Sequence, residues 1–217
     1  MRIDLLDHMG NDLTIANSAR CSFDKQSDLD DNGYLRTEDI RLINYLAKHK
    51  HWTPFSHATV SFRVTMPIFV ARQLAKHQIG GSVNEVSRRY VDSDPVFDIP
   101  KKWRKRAENV KQGSSDECIN VDTALQSEID KFFESAELLY KDLLMMGVCP
   151  EQARAVLPLC TETTWVWTGS LYFFARVCNL RLDPHAQRET AEVARAIDRH
   201  MDKLFPISWA ALRKRHD

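Results

Sequence analysis

The chain has 217 residues, 43% of them hydrophobic, which is enough for one sizeable core. Thirty basic residues balance thirty acidic ones, and a formal charge of zero argues against non-specific nucleic-acid binding, which needs a basic field. No apolar run approaches the roughly 20 residues of a membrane span and no signal peptide opens the chain. The five cysteines (Cys21, Cys118, Cys149, Cys160, Cys178) are scattered and never spaced C-x-x-C, as expected of free thiols in a cytoplasmic protein.

Ile3-Asp4-Leu5-Leu6 begins a strand, Met9-Gly10-Asn11-Asp12 makes a turn, and a helix carries the chain to Ala19-Arg20-Cys21-Ser22-Phe23. Residues 24–36 are acidic and polar, a surface loop. Thr37 is the expected cap of a helix through about Lys48, with Ile40, Leu42, Ile43 and Leu46 facing the core. His49, His51 and His57 lie close together, but neither a Cys pair nor a His-Glu-x-x-His helix accompanies them. Surface or cofactor-contact histidines are therefore favoured over zinc. From Ala58 to Thr65, Val60, Phe62 and Val64 alternate against Thr59, Ser61 and Arg63, the pattern of a half-buried strand.

Pro67 suits the first position of the next helix, which is expected to stop at Gly80-Gly81, where the backbone can turn or approach a ligand closely. At about 100° per residue, Arg72, Gln73, Lys76 and His77 share one arc of it; Ile68, Val70, Ala71, Leu74 and Ala75 share the other. Four cations, an imidazole, a carboxylate and two serines fall between Arg72 and Tyr90. A solvated helix and polar loop account for any few of them. An anion pocket accounts for the density, because Arg grips phosphate with a planar fork and glycine exposes amide groups. Residue chemistry leaves the anion open.

Residues 91–121 form an excursion: Asp92-Ser93-Asp94-Pro95 breaks structure, and Gln112-Gly113-Ser114-Ser115 is a flexible loop. The basic run Lys101–Arg106 reads as a solvated face rather than a nucleic-acid patch. Leu125, Ile129, Phe132, Phe133, Ala136, Leu139, Tyr140, Leu143 and Leu144 recur at helical spacing, and Gly147 closes that packing helix. Pro150 starts and Pro158 ends a helix carrying Arg154. Cys160–Trp167 alternates as a strand with Thr161, Thr163 and Trp165 on one side. Thr168 is the expected cap of a helix through Asn179, and Asp183-Pro184 the start of the long last helix, with His185 and Gln187 in its opening turn.

Lys76-His77-Gln78, eight residues, then Ser87, with Asn84-Glu85 before the serine and Arg89-Tyr90 after it, resembles the defining motif of the flavin-dependent thymidylate synthases. That motif runs Arg-His-Arg, seven residues, Ser. Two substitutions and one inserted residue, around Gly80-Gly81, separate the two. His51-Trp52-Thr53-Pro54-Phe55-Ser56-His57, Leu157-Pro158-Leu159 and Arg181-Leu182-Asp183-Pro184-His185-Ala186-Gln187 are also family-like, so the resemblance covers about residues 10–205.

The resemblance implies a single α/β (α+β) domain over residues 1–217, a small, mainly antiparallel sheet packed by several helices, with 91–121 as a variable loop region. It implies a homotetramer with active sites shared between subunits. The implied reaction methylates dUMP to dTMP, with methylenetetrahydrofolate as carbon donor and NADPH, through FAD, as the source of hydride; neither nucleic acid nor membrane is involved. Gln73, Lys76, Glu85, Ser87, Arg88, Arg89, Arg154 and Arg181 are the implied dUMP residues. Arg181 is the catalytic one, because a cation at the uracil favours its ionised form and makes the ring carbon a better nucleophile. Ser22, His51, Thr53, Lys76, His77, Gln78, Glu85, Ser170, Arg176 and His185 are the implied FAD residues. Ser87 has no evident base beside it, which favours ligand binding over nucleophilic attack. Arg176 and Ser170 depart from the family, and Lys76 and Gln78 replace two arginines. Arg176 is expected to supply the charge missing from the triplet; a catalytically silent flavin- or nucleotide-binding protein is the alternative.

Overall fold

In the computed structural model, which describes residues 1–108 and 114–213, strand β1 (Arg2–Met9) leads through Gly10 into helix α1 (Asp12–Arg20). Gly10 has φ +86°, a conformation glycine adopts without strain, and Asn11 and Thr14 form a reciprocal capping box. Helix α2 (Thr37–Lys48) and strand β2 (Thr59–Pro67) follow, then helix α3 (Ile68–Leu74) and strands β3 (Gly81–Glu85), β4 (Trp103–Arg106) and β5 (Ser114–Ile119). The remainder is helix α4 (Thr123–Met145), helix α5 (Pro150–Ala153), strand β6 (Glu162–Ser170), and helices α6 (Leu171–Arg181), α7 (Arg188–Leu204) and α8 (Pro206–Leu212).

Four strands form one sheet in the order β1-β2-β6-β3, and β4 pairs with β5 antiparallel. Hydroxyl pairs fix one register: Ser61 meets Thr168 at 2.7 Å and Thr65 meets Thr164 at 2.9 Å. Four residues forward on β2 are four back on β6, so these strands are antiparallel. The Ser170 N–H donates to the Gly80 carbonyl and the Val86 N–H to that of Thr164, so β3 also runs against β6.

The chain divides into two compact units: Arg2–Val64, Leu74–Asn84 and Val166–Asp217 make one, and Met1, Thr65–Gln73 and Glu85–Trp165 the other. In the first, Val60, Phe62 and Val64 are fully buried as their alternation predicts, and Phe62 meets Phe174 edge-on at 5.2 Å between centroids. Each such buried side chain contributes roughly 2 kcal/mol through its apolar area. Val193, Ala194, Ile197 and Met201 bury one stripe of α7. The buried Asp12 accepts from the N–H groups of Ile207 and Ser208 at the start of α8. In the second unit Met66, Val70, Tyr140 and Ala153 are buried.

Several sequence expectations change. Pro67 ends β2 rather than opening a helix, and α3 stops at Leu74, six residues short of Gly80. Lys76, His77 and Gln78 therefore stand on a turn and not on a helical arc; pairing of β3 with β6 overrides local helix preference. Thr168 is a strand residue bonded to Ser61, and Ser170 caps α6 by accepting from the Phe173 N–H. Thr37 is the first residue of α2 without a side-chain cap before it. Asp183 accepts from the His185 N–H within a turn, so α7 begins only at Arg188, and α8 rather than α7 is the last helix. Of the apolar positions on α4 only Ala136 and Tyr140 are buried; Phe132 is 58% exposed. Within 91–121, the basic run enters β4 and Lys105 meets Glu117 at 3.3 Å; Ser114 and Ser115 belong to β5, while Gln112 and Gly113 lie outside the described residues.

Candidate active site

Part of the predicted set gathers in two places, one in each unit. In the unit containing α4, a cavity of about 290 Å³ is lined by Ile68, Glu85, Val86, Ser87, Arg88, Arg154, Leu157, Glu162 and Thr163. That volume sits at the lower edge of the roughly 300–1,000 Å³ usual for small-molecule sites. Four predicted substrate residues, Glu85, Ser87, Arg88 and Arg154, thus share one wall. Each is held by neighbours. The buried Thr163 hydroxyl donates to the Glu85 carboxylate at 2.6 Å. Arg88 lies over the Tyr140 ring at 5.8 Å and donates to the Ser93 carbonyl at 2.8 Å. Arg154 Nε donates to the Glu151 carbonyl at 3.2 Å. Two guanidiniums beside two carboxylates suit a ligand with both an anionic end and N–H or O–H donors.

Four predicted members stand outside the lining: Lys76 and Arg181 belong to the other unit, Gln73 and Arg89 to this one. Arg89 donates to the Glu151 carboxylate at 2.7 Å and lies over the Tyr90 ring, and Gln73 sits half-buried on α3. No histidine is among the lining residues, and the Ser87 Oγ accepts from the Arg89 N–H at 3.3 Å. Sequence reasoning missed Glu162 and Thr163. Their signal is the alternation along 161–166, which by itself specifies only a strand.

In the other unit, α6 and the turn after Leu74 bring His77, Arg176 and Arg181 together. Arg181, the last residue of α6, donates through Nε to Nε2 of His77 at 3.0 Å. That bond needs an unprotonated Nε2. Burial foremost, then the Arg181 and Arg176 charges, push the His77 pKa down to about 4, so the ring is neutral at physiological pH. Burial also lowers the Arg181 pKa, and the guanidinium stays charged. Lys76 and Gln78 are exposed on either side of His77, and Arg176 is exposed on α6.

Gly80, at φ +89°, turns the chain as expected. Gly81 does not lie open to a ligand: a Cβ there would stand 2.5 Å from Cζ of Phe173. Ser170 spends its Oγ on capping α6. His51 stands with Tyr45 and His49, ring centroids 6.1 and 6.4 Å away, and Trp52 lies 6.2 Å from Tyr172. Ser22 is exposed on the turn after α1, Thr53 is exposed before the Pro54–Ser56 turn, and His185 is exposed in the turn before α7.

An arginine- and glutamate-lined cavity in one unit and a guanidinium–imidazole cluster in the other have donors suited to anionic small molecules. Residues 4–207 match the family model described as "Thymidylate synthase complementing protein". The flavin-dependent thymidylate synthase of Thermus thermophilus is 37% identical, with 98% of this chain and 75% of the relative covered. That of Thermosipho africanus is 38% identical over 97% and 90%. Among solved structures, the UMP/dUMP methylase PolB from Streptomyces cacaoi bound with 5-Br dUMP superposes with a TM-score of 0.81 at 28% identity, covering 97% of this chain and 93% of that one. The chain belongs to the flavin-dependent thymidylate synthase family.

The unit holding His77 fits that family's FAD in the chemistry of its donors. The Arg176 guanidinium and Lys76, both exposed near a neutral imidazole, suit a pyrophosphate-bearing cofactor.

Proposed function

We propose that this protein converts dUMP to dTMP, taking the carbon from methylenetetrahydrofolate and reducing equivalents from NADPH. Bound FAD supplies the two-electron redox chemistry between them. The observation that carries the reading is the convergence of Glu85, Ser87, Arg88 and Arg154 on one cavity of about 290 Å³. In it Arg88 and Arg154 bind the phosphate of dUMP, and Glu85, oriented by Thr163, accepts from a sugar or ring donor. Gln73, Lys76 and Arg89 are further dUMP contacts. Arg181 stabilises negative charge on the uracil ring, and neutral His77 holds that guanidinium without competing for the charge.

Lys76, His77, Gln78, Arg176 and Glu85 would hold FAD, with Ser22, His51, Thr53, Ser170 and His185 as the remaining contacts of the site. The active assembly is a homotetramer whose sites combine residues of different subunits, so that the cavity of one subunit and the cationic cluster of another serve one reaction. The exposed apolar side chains of α4, Phe132 and Leu139 among them, offer surface for such assembly.

The test is an absorbance spectrum of the purified protein, followed by anaerobic NADPH and then dUMP with methylenetetrahydrofolate. Bound flavin that bleaches with NADPH and yields dTMP is the expected result. Flavin that binds without product formation returns the protein to the silent binding reading, which the altered triplet favours. Absence of flavin binding refutes both.

A further inference from the structure

We propose that Phe173 is the positioning residue of the Lys76–Gln78 triplet, its ring filling the space that Gly81 and Gly169 leave open and so fixing the triplet's loop along α6. The inference rests on the reading of that triplet as part of the flavin site.

The ring is 2% exposed. A Cβ on Gly81 would meet three of its carbons at 2.5–2.8 Å, and one on Gly169 would meet Cδ1 at 2.2 Å. No side chain fits at either glycine while the phenyl is in place, so the two glycines form a slot for the ring. Gly81 opens β3 and Gly169 lies on β6, which are neighbours in the sheet.

The backbone beside the slot is held by the same turn of helix. Ser170 accepts from the Phe173 N–H at 3.1 Å, and the Ser170 N–H donates to the Gly80 carbonyl at 3.3 Å. Gly80 and Gly81 are therefore gripped by the start of α6. From there the loop runs back toward His77 while α6 runs forward to Arg176 and Arg181. The distance from Phe173 to Arg181 is about 12 Å at 1.5 Å per residue. At the far end His77 accepts from Arg181. One helix thus fixes the loop twice, by an aromatic slot at its N-terminus and by a guanidinium at its C-terminus.

The residue inserted relative to the family pattern falls around Gly80-Gly81, where this slot is built. The ring gives the longer loop a fixed place. Without it, the Gly80 end of the loop would rest on backbone hydrogen bonds to β6, and a displacement of the order of 1 Å at a site can cost roughly 100-fold in function.

The experiment uses the full chain freed of flavin, as wild type, Phe173→Ala, Phe173→Leu and Gly81→Ala. FAD affinity is read by fluorescence titration, the His77 midpoint by NMR against pH, and melting temperature in parallel. Phe173→Ala should weaken FAD by about tenfold or more and move the His77 midpoint from about 4 toward the usual 6.5, because the Arg181 contact loosens. Gly81→Ala should act in the same direction, and Phe173→Leu by less. A lowered melting temperature with FAD affinity and the His77 midpoint unchanged would make Phe173 merely structural and overturn the proposal. Where Phe173→Ala does not fold, Phe173→Leu and Gly81→Ala decide by the same readouts. Failure of the wild type to bind FAD would sink the functional reading alone, since the His77 midpoint of the variants still decides the slot.

Discussion

His77 gives the protein an acid sensitivity that can be worked out from its surroundings. Its Nε2 accepts from Arg181, and burial with two nearby guanidiniums holds its pKa at about 4 against 6.5 for a free imidazole. Between these values the unfolded chain takes up a proton that the folded chain refuses. The unfolded state binds more protons there, so stability falls as pH falls. The contribution is fully present above about pH 6.5 and is lost progressively toward pH 4. At full strength the gap converts to roughly 3 kcal/mol. The ring is only half-buried, and solvent screening brings this to about 1–2 kcal/mol. For a chain of this length that is a fall of roughly 2–8 °C in melting temperature. The assay is calorimetry of flavin-free wild type and His77→Gln at pH 6.5, 5.5 and 4.5. Glutamine retains an acceptor for Arg181 but does not titrate, so its melting temperature should fall less steeply with acid. Parallel slopes in the two proteins would refute the argument.

Arg176→Ala should weaken FAD binding about threefold to tenfold at low salt, with the difference shrinking at high salt, because an exposed cation acts through a screened field. Unchanged affinity in a titration at both salts would remove Arg176 as the substitute for the triplet's missing arginine. Thr163→Val deletes the donor at 2.6 Å from the Glu85 carboxylate while conserving shape. A hydrogen bond to a charged group stabilises by roughly 1.5–3 kcal/mol, so steady-state kinetics should show KM for dUMP raised about tenfold with kcat changed less. An unaltered KM would show that Glu85 needs no orientation by Thr163.

Strands and long helices were legible because their period is written in the apolar residues. The Val60-Phe62-Val64 alternation and the α4 pattern both predicted the right element. Burial along α4 was not legible, since periodicity reports which positions are apolar and not what covers them; Phe132 and Leu139 are exposed all the same. The turn after Leu74 was misread for a different reason. Residues 75–78 are compatible with helix, yet α3 stops at Leu74 and the chain goes on to pair as β3 with the distant β6. In the candidate site, charged residues close in sequence drew notice, whereas Glu162 and Thr163 arrive at Glu85 from far along the chain on a different strand. The division into two compact units left no composition signal, because the chain crosses between them within β2, α3, β3 and β6 rather than through a linker.

The departures from the family pattern are not independent of one another in space. Ser170, one of the departures the resemblance implies, accepts from the Phe173 N–H and so caps the start of α6. Phe173 then fills the slot at Gly81 and Gly169, beside the inserted residue. One turn further along the same helix, Arg176 lies close enough to His77 to depress its pKa, so it brings positive charge to the triplet that has lost two arginines. A drifting site would accumulate losses without such replacements. Here the loop and its imidazole meet α6 at Phe173 and at Arg176, and the pair Phe173→Ala and Arg176→Ala tests whether the two act together. Two substitutions one helical turn apart that both act on the same loop should weaken FAD by less than the product of their separate effects, since the first to go already releases what the second holds. Strict additivity would mean that the slot and the charge serve the cofactor separately.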